Sequence, residues 1–157
     1  MNRKLKIGIA ILMMAVIVSG CVSQPSQSQS TNVGSNSGPD KQKEIIVKYS
    51  AKTIATINDF AKPKAGNVFL VITMTIENHG YDTFNTNMLW FSVTSNNIKH
   101  DASFETGNLA DKIDTVDLLD GGSTKGSIAF EVPAGTTDYS IIYKQIGRDY
   151  NVVYQKQ

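Results

Sequence analysis

Between Asn67 and Asn78 the chain alternates with a period of two. Val68, Leu70, Ile72, Met74 and Ile76 fall on one face, and Phe69, Val71, Thr73, Thr75 and Glu77 on the other. A helix would scatter these residues around its circumference, whereas a strand sends successive side chains to opposite sides. The many β-branched residues suit the same reading. This stretch therefore predicts a central strand with its first face in the core. Phe69 and Val71 further predict that the second face is covered near its start.

The rest of the chain from Glu44 onward supplies partners for such a strand. Ile45, Val47 and Tyr49 alternate, and Thr53 to Ile57 reads as a second short extended piece. Pro63 and Gly66 mark a turn, as do Asn78-His79-Gly80. Phe84 to Val93 reads as a loop entering a strand. Asn96-Asn97 predicts a tight hairpin, because asparagine tolerates left-handed backbone. Ala102 to Asp117 is mostly loop, and a glycine turn at Gly121-Gly122 leads into the strand Gly126 to Val132. Tyr139 to Lys144 and Tyr150 to Gln155 are expected to pair across Gly147. About seven or eight short strands without a convincing helix make an all-β, antiparallel sandwich. Its form is immunoglobulin-like without the disulfide, since Cys21 is the only cysteine.

The residues ahead of this domain have a different character. Arg3, Lys4 and Lys6 precede an apolar run, Ile7 to Val18, and the small residues Ser19-Gly20. This is the layout of a secretory signal peptide. The run of 12 residues is short for the roughly 30 Å hydrocarbon core of a bilayer. Val18-Ser19-Gly20-Cys21 resembles the lipobox of prokaryotic lipoproteins, in which the cysteine receives a diacylglyceryl group. The thiol suits that role because its thiolate is the strong nucleophile of the side-chain set. Two acyl chains anchor a protein stably where one does so only marginally. An uncleaved signal anchor and a freely secreted product are the alternatives. Val22 to Lys43 is dominated by Ser, Gln, Asn, Gly and Pro and reads as a solvated linker with a reach of roughly 25 Å. The expected organisation is thus a signal peptide over 1–20, lipidated Cys21 with a flexible linker over 21–43, and the sandwich over 44–157.

Three stretches carry a family likeness. Lys62 to Val71, closing with Ile76-Glu77-Asn78, resembles the opening signature of the prokaryotic family known as domain of unknown function 4352. Asp120 to Pro133 resembles its second signature, and Tyr139 to Tyr143 its closing strand. Where the family usually has a proline before the turn glycine, this chain has Asp120 or Gly121. The resemblance implies a telokin-like, immunoglobulin-like sandwich of the kind found on exported lipoproteins. It implies no activity, because its motifs mark turns and strand ends.

Several residue sets bear on chemistry. Asp111, Asp114, Asp117 and Asp120 recur every third residue and could in principle gather Ca²⁺, which takes 6–8 oxygen ligands. They do not follow the every-second-residue spacing of an EF-hand loop, so a solvated acidic loop is the better reading. His79 and His100 lack companions at ligand spacing. Ser127 lacks the glycine-flanked elbow of a hydrolase nucleophile. Tyr139 and Tyr143 share a face with Ile141, as Tyr150 and Tyr154 do with Val152. With Trp90 they are candidates for a partner-binding surface, although closing the core is the simpler role. One of Trp90 and Phe91 should face inward.

Charge narrows the partners. The chain has 15 basic and 14 acidic residues. Removing the three basic residues of the leader leaves 12 against 14, a net of −2. Nothing in that balance suits nucleic acid. The sequence therefore predicts a non-enzymatic module without a cofactor, anchored through Cys21 on the extracytoplasmic face of the cell membrane. It would bind a protein or a small ligand there. The alternative is a structural or accessory envelope protein that supports a membrane complex.

Overall fold

The computed structural model describes residues 42–157. The expectations for the signal peptide, for Cys21 and for the linker up to residue 41 lie outside the described residues. Among the described residues no helix is long and apolar enough to cross a membrane.

The described residues form nine strands in order: β1 (Glu44–Ile54), β2 (Asn67–His79), β3 (Phe84–Asn85), β4 (Phe91–Ser95), β5 (Ile98–Asp101), β6 (Asp117–Leu118), β7 (Ser123–Pro133), β8 (Ser140–Tyr143) and β9 (Val152–Lys156). They form a four-stranded sheet ordered β7-β2-β1-β9, a three-stranded sheet ordered β5-β4-β8, and the small β3-β6 ladder. The predicted sandwich is what forms. β2 sits inside the larger sheet, antiparallel to β1 and to β7 along its length. Leu70, Ile72, Met74 and Ile76 of its inner face are buried with Ile45 and Val47 of β1, Ile128, Phe130 and Val132 of β7, and Phe91 and Val93 of β4. Each such side chain contributes about 1.5–3 kcal/mol through burial.

The second face of β2 is covered as its sequence predicts. Phe69, Val71 and Ala129 form a separate small core beneath Ile54, Ile57 and Leu109. The segment 102–113 lies along the free edge of β7. Ser103 N–H donates to Ala129 O at 2.8 Å, Ser127 N–H to Asp111 O at 2.7 Å, and Ile113 N–H to Ser127 O at 3.0 Å. Gly126 permits this approach, since a Cβ there would sit 2.4 Å from Ile113 Cα. An edge that could template foreign strands is thereby closed by the chain itself.

Asn96 and Asn97 adopt φ of 51° and 60° and close the β4–β5 hairpin, the geometry that asparagine accepts. Two expectations need correction. Thr53 and Ile54 belong to β1, not to a second piece, because β2 has 13 residues and pairs with β1 from Glu44 through to Ile54. The tyrosine-bearing strands β8 and β9 do not pair with each other. β8 pairs with β4, while β9 crosses to the other sheet and runs parallel to β1, with Ile45 opposite Val152. Alternation states which side chains face inward, and it reads the same whichever sheet receives the strand.

Candidate functional site

The four tyrosines converge from both sheets on the core. Tyr139, Tyr143, Tyr150 and Tyr154 are all half-buried against it. The Tyr143 ring lies 4.4 Å from Phe84, 4.9 Å from Phe91 and 5.9 Å from Tyr150, between centroids. Two of the four hydroxyls are engaged internally. The Tyr143 hydroxyl lies 2.7 Å from Asn85 O and 3.0 Å from Gln145 Oε1, and Tyr150 donates to Thr83 O at 3.0 Å. The Tyr154 hydroxyl is buried and makes no hydrogen bond of ordinary geometry. Burial pushes the Tyr143 and Tyr154 phenols well above their usual range; the Tyr143 backbone works the other way at Tyr154. These tyrosines close the sandwich. Their internal contacts favour the simpler of the two roles open to them.

The four aspartates are not brought together. Asp111 accepts from the Ser127 hydroxyl at 2.7 Å, and Asp117 from Asn85 Nδ2 at 2.8 Å. Asp120 accepts from Gly80 N–H at 2.6 Å, and Asp114 takes the Thr86 hydroxyl only through its backbone carbonyl, at 2.6 Å. The loop leads the acids past different partners, and three of the four carboxylates each accept a separate hydrogen bond. Among the described residues no three His, Cys, Asp or Glu side chains could share a metal ion. His79 lies 3.3 Å from Glu77, whose carboxyl is held below its usual range, mainly by the Lys48 ammonium 2.6 Å away. His100 packs with its Nε2 buried and unpartnered.

Trp90 is different. It ends a short 3-10 turn, Met88–Trp90, whose start is capped by Asn87 Oδ1 accepting from Leu89 N–H at 2.9 Å. Phe91, next along, is buried, so it is the one of the two neighbours that faces inward. The Trp90 indole N–H donates to Asn85 Oδ1 at 3.0 Å, and Asn85 is itself held by Asp117. The ring is thus fixed by its one polar atom. It stands over an open groove of about 610 Å³ on the outer face of the three-stranded sheet. Leu89, Trp90, Ile142 and Ile146 give the groove its apolar surface, and Lys99 and Lys144 also line it. Leu89 is 56% exposed and Ile146 is 85% exposed. Of these residues only Trp90 was a sequence candidate. Ile142 was within reach, because once Ile141 and Tyr143 face the core, Ile142 must face out.

The stretches that carry the family likeness meet in space. Asn78, fully buried, donates through Nδ2 to Tyr81 O at 2.8 Å and Leu118 O at 2.9 Å. Its backbone exchanges hydrogen bonds with Gly121 N–H and Gly122 O, both at 2.9 Å. At the other end of the β2–β7 pair, Glu131 Oε1 accepts from Lys64 N–H at 3.0 Å and Asn67 Nδ2 at 2.8 Å. The two signatures therefore pin the same strand pair at its two ends. The family model described as Domain of unknown function (DUF4352) matches residues 31–152.

The chain belongs to the DUF4352 family. No curated protein matches it. A similar fold occurs in the crystal structure of ycdA from Bacillus subtilis subsp. subtilis str. 168, a protein described as a lipoprotein. The TM-score is 0.51 at 16% identity, over 63% of this chain and 31% of that one. This DUF4352 chain thus spans about a third of the length of the solved protein.

Proposed function

We propose that this chain is a lipid-anchored, non-catalytic binding module held on the extracytoplasmic face of the cell membrane. The lipobox-like Val18-Ser19-Gly20-Cys21 supports the anchor, and the lipoprotein description of the Bacillus subtilis ycdA protein agrees with it. The observation that carries the binding role is the open apolar groove around Trp90. A soluble domain that leaves such a surface uncovered commonly uses it for recognition.

The test compares full-length wild type with Ile142→Glu and Cys21→Ala in cells that produce the protein. Cys21→Ala should leave the membrane fraction or stall in maturation. Wild type, solubilised from membranes, should co-isolate a defined partner that Ile142→Glu loses while staying folded and anchored. Membrane retention and unchanged mobility of Cys21→Ala would overturn the anchor. Equal co-isolation by both groove forms would overturn the binding role.

A further inference from the structure

We infer that the groove takes an extended peptide segment in which a large apolar side chain and an acidic side chain stand two residues apart. This rests on the binding-module reading and names the class of its partner. Three features of the groove point there.

The first is chemical complementarity. The groove presents Leu89, Trp90, Ile142 and Ile146 beside two ammonium groups, Lys99 and Lys144, and among the described residues no carboxylate lines it. Lys99 is paired with Asp101, but among the described residues Lys144 makes no ion pair. A carboxylate on the ligand would supply the missing partner, next to an apolar group that fills the groove.

The second is the strand beside it. Among the described residues β8 is an edge strand, with β4 on one side and no strand on the other. Lys144 N–H donates to Trp90 O at 2.8 Å, so the backbone groups turned towards β4 are those of every second residue. Those of Ile141 therefore face away. An added strand can bond to them, which is how many domains capture extended peptides. Side chains of that strand would lie across from Ile142 and Lys144, which share the outer face two residues apart. Cross-strand neighbours then specify the ligand: apolar opposite Ile142, acidic opposite Lys144.

The third separates a peptide from a bilayer. The surface is concave, and the Trp90 N–H is already spent on Asn85. An interfacial tryptophan at a membrane keeps its polar edge for the headgroup level. Here only the ring is offered.

Trp90 is the only tryptophan in the chain, so its emission reports directly on the groove. The experiment selects random 12-residue displayed peptides on the full-length protein in detergent micelles, then titrates the winners by Trp90 fluorescence. Enriched sequences should carry a large apolar residue and Asp or Glu two positions apart. Lys144→Glu should weaken them by about tenfold, the effect of one lost charge pair, and should restore affinity for versions with Lys in place of the acid. Ile142→Glu should abolish the shift. No enriched family, enrichment of basic sequences, or affinity indifferent to both variants would overturn the inference. So would quenching of Trp90 by brominated acyl chains when the full-length protein is reconstituted in phosphatidylglycerol-containing vesicles, which would place the groove on the bilayer. If a cellular partner is lost on Ile142→Glu while no acidic peptide is selected, the binding module stands and the peptide inference falls.

Discussion

On the outer face of the four-stranded sheet, Phe69, Val71 and Ala129 are sealed beneath Ile54, Ile57 and Leu109, and segment 102–113 closes the edge of β7. On the outer face of the three-stranded sheet, Ile142 lies in an open groove with Leu89, Trp90 and Ile146, beside an edge of β8 that no described strand pairs. Both faces carry apolar side chains where a sandwich normally turns polar ones to water. One spends two loops on covering them. Among the described residues no loop seals the groove on the other, and on the proposed binding reading that is the face left for contact.

The sharpest way to test the asymmetry is to truncate an apolar side chain on each face. Phe69→Ala on the sealed face should cost about 3–5 kcal/mol, as a buried aromatic does. Ile146→Ala on the open face, where that side chain is 85% exposed, should change stability by less than about 0.5 kcal/mol, as surface substitutions do. Urea unfolding of the two variants measures both, and comparable losses would erase the distinction. Next in size is the seam that seals the β7 edge. Gly126→Ala pushes a methyl group into the Ile113 backbone and should cost about 1–3 kcal/mol. Faster hydrogen exchange over 102–113 should accompany the loss; unchanged exchange there would mean that the glycine does not hold the seam.

A smaller effect probes the tyrosines between the two faces. Burial raises the Tyr143 and Tyr154 phenols above the ordinary value of 10.0. Below that pH the phenols are protonated in folded and unfolded chains alike, and their contribution is complete. Above it the unfolded chain ionises first, so stability should fall as pH rises past 10. Tyr154→Phe removes a buried hydroxyl that makes no hydrogen bond of ordinary geometry, so it should be neutral or stabilising by about 1 kcal/mol and should flatten the alkaline loss. Denaturant midpoints at pH 9 and pH 11 check the sign. A destabilised Tyr154→Phe would show that the hydroxyl is satisfied after all.

Much of the sealed face was legible in the sequence. The alternation of β2 named its core face, and Phe69 and Val71 on the opposite side announced a second covered patch. Asn96-Asn97 declared its hairpin because two successive left-handed residues have few other uses. The open face was less legible. Period two places Tyr143 and Tyr154 inward but is silent on which sheet receives each strand, so β8 and β9 looked like partners. The acidic run favours separate acids over a cluster in the sequence, but its spacing says nothing of the elements each acid meets. Ile146 carries no signal at all, being one isoleucine between Gln145 and Gly147 in a loop. Exposure alone would not have found the groove either, since Phe60 on a covering loop is 97% exposed.

That last contrast supplies the most direct measurement. A benzophenone side chain placed at Ile146 or at Phe60 of the full-length protein, activated on intact cells, asks which face meets a partner. A discrete adduct from position 146, absent from position 60 and lost on Ile142→Glu, is the expected result. Adducts of equal yield from both positions, or from position 60 alone, would contradict the division of the sandwich into a sealed face and a contact face.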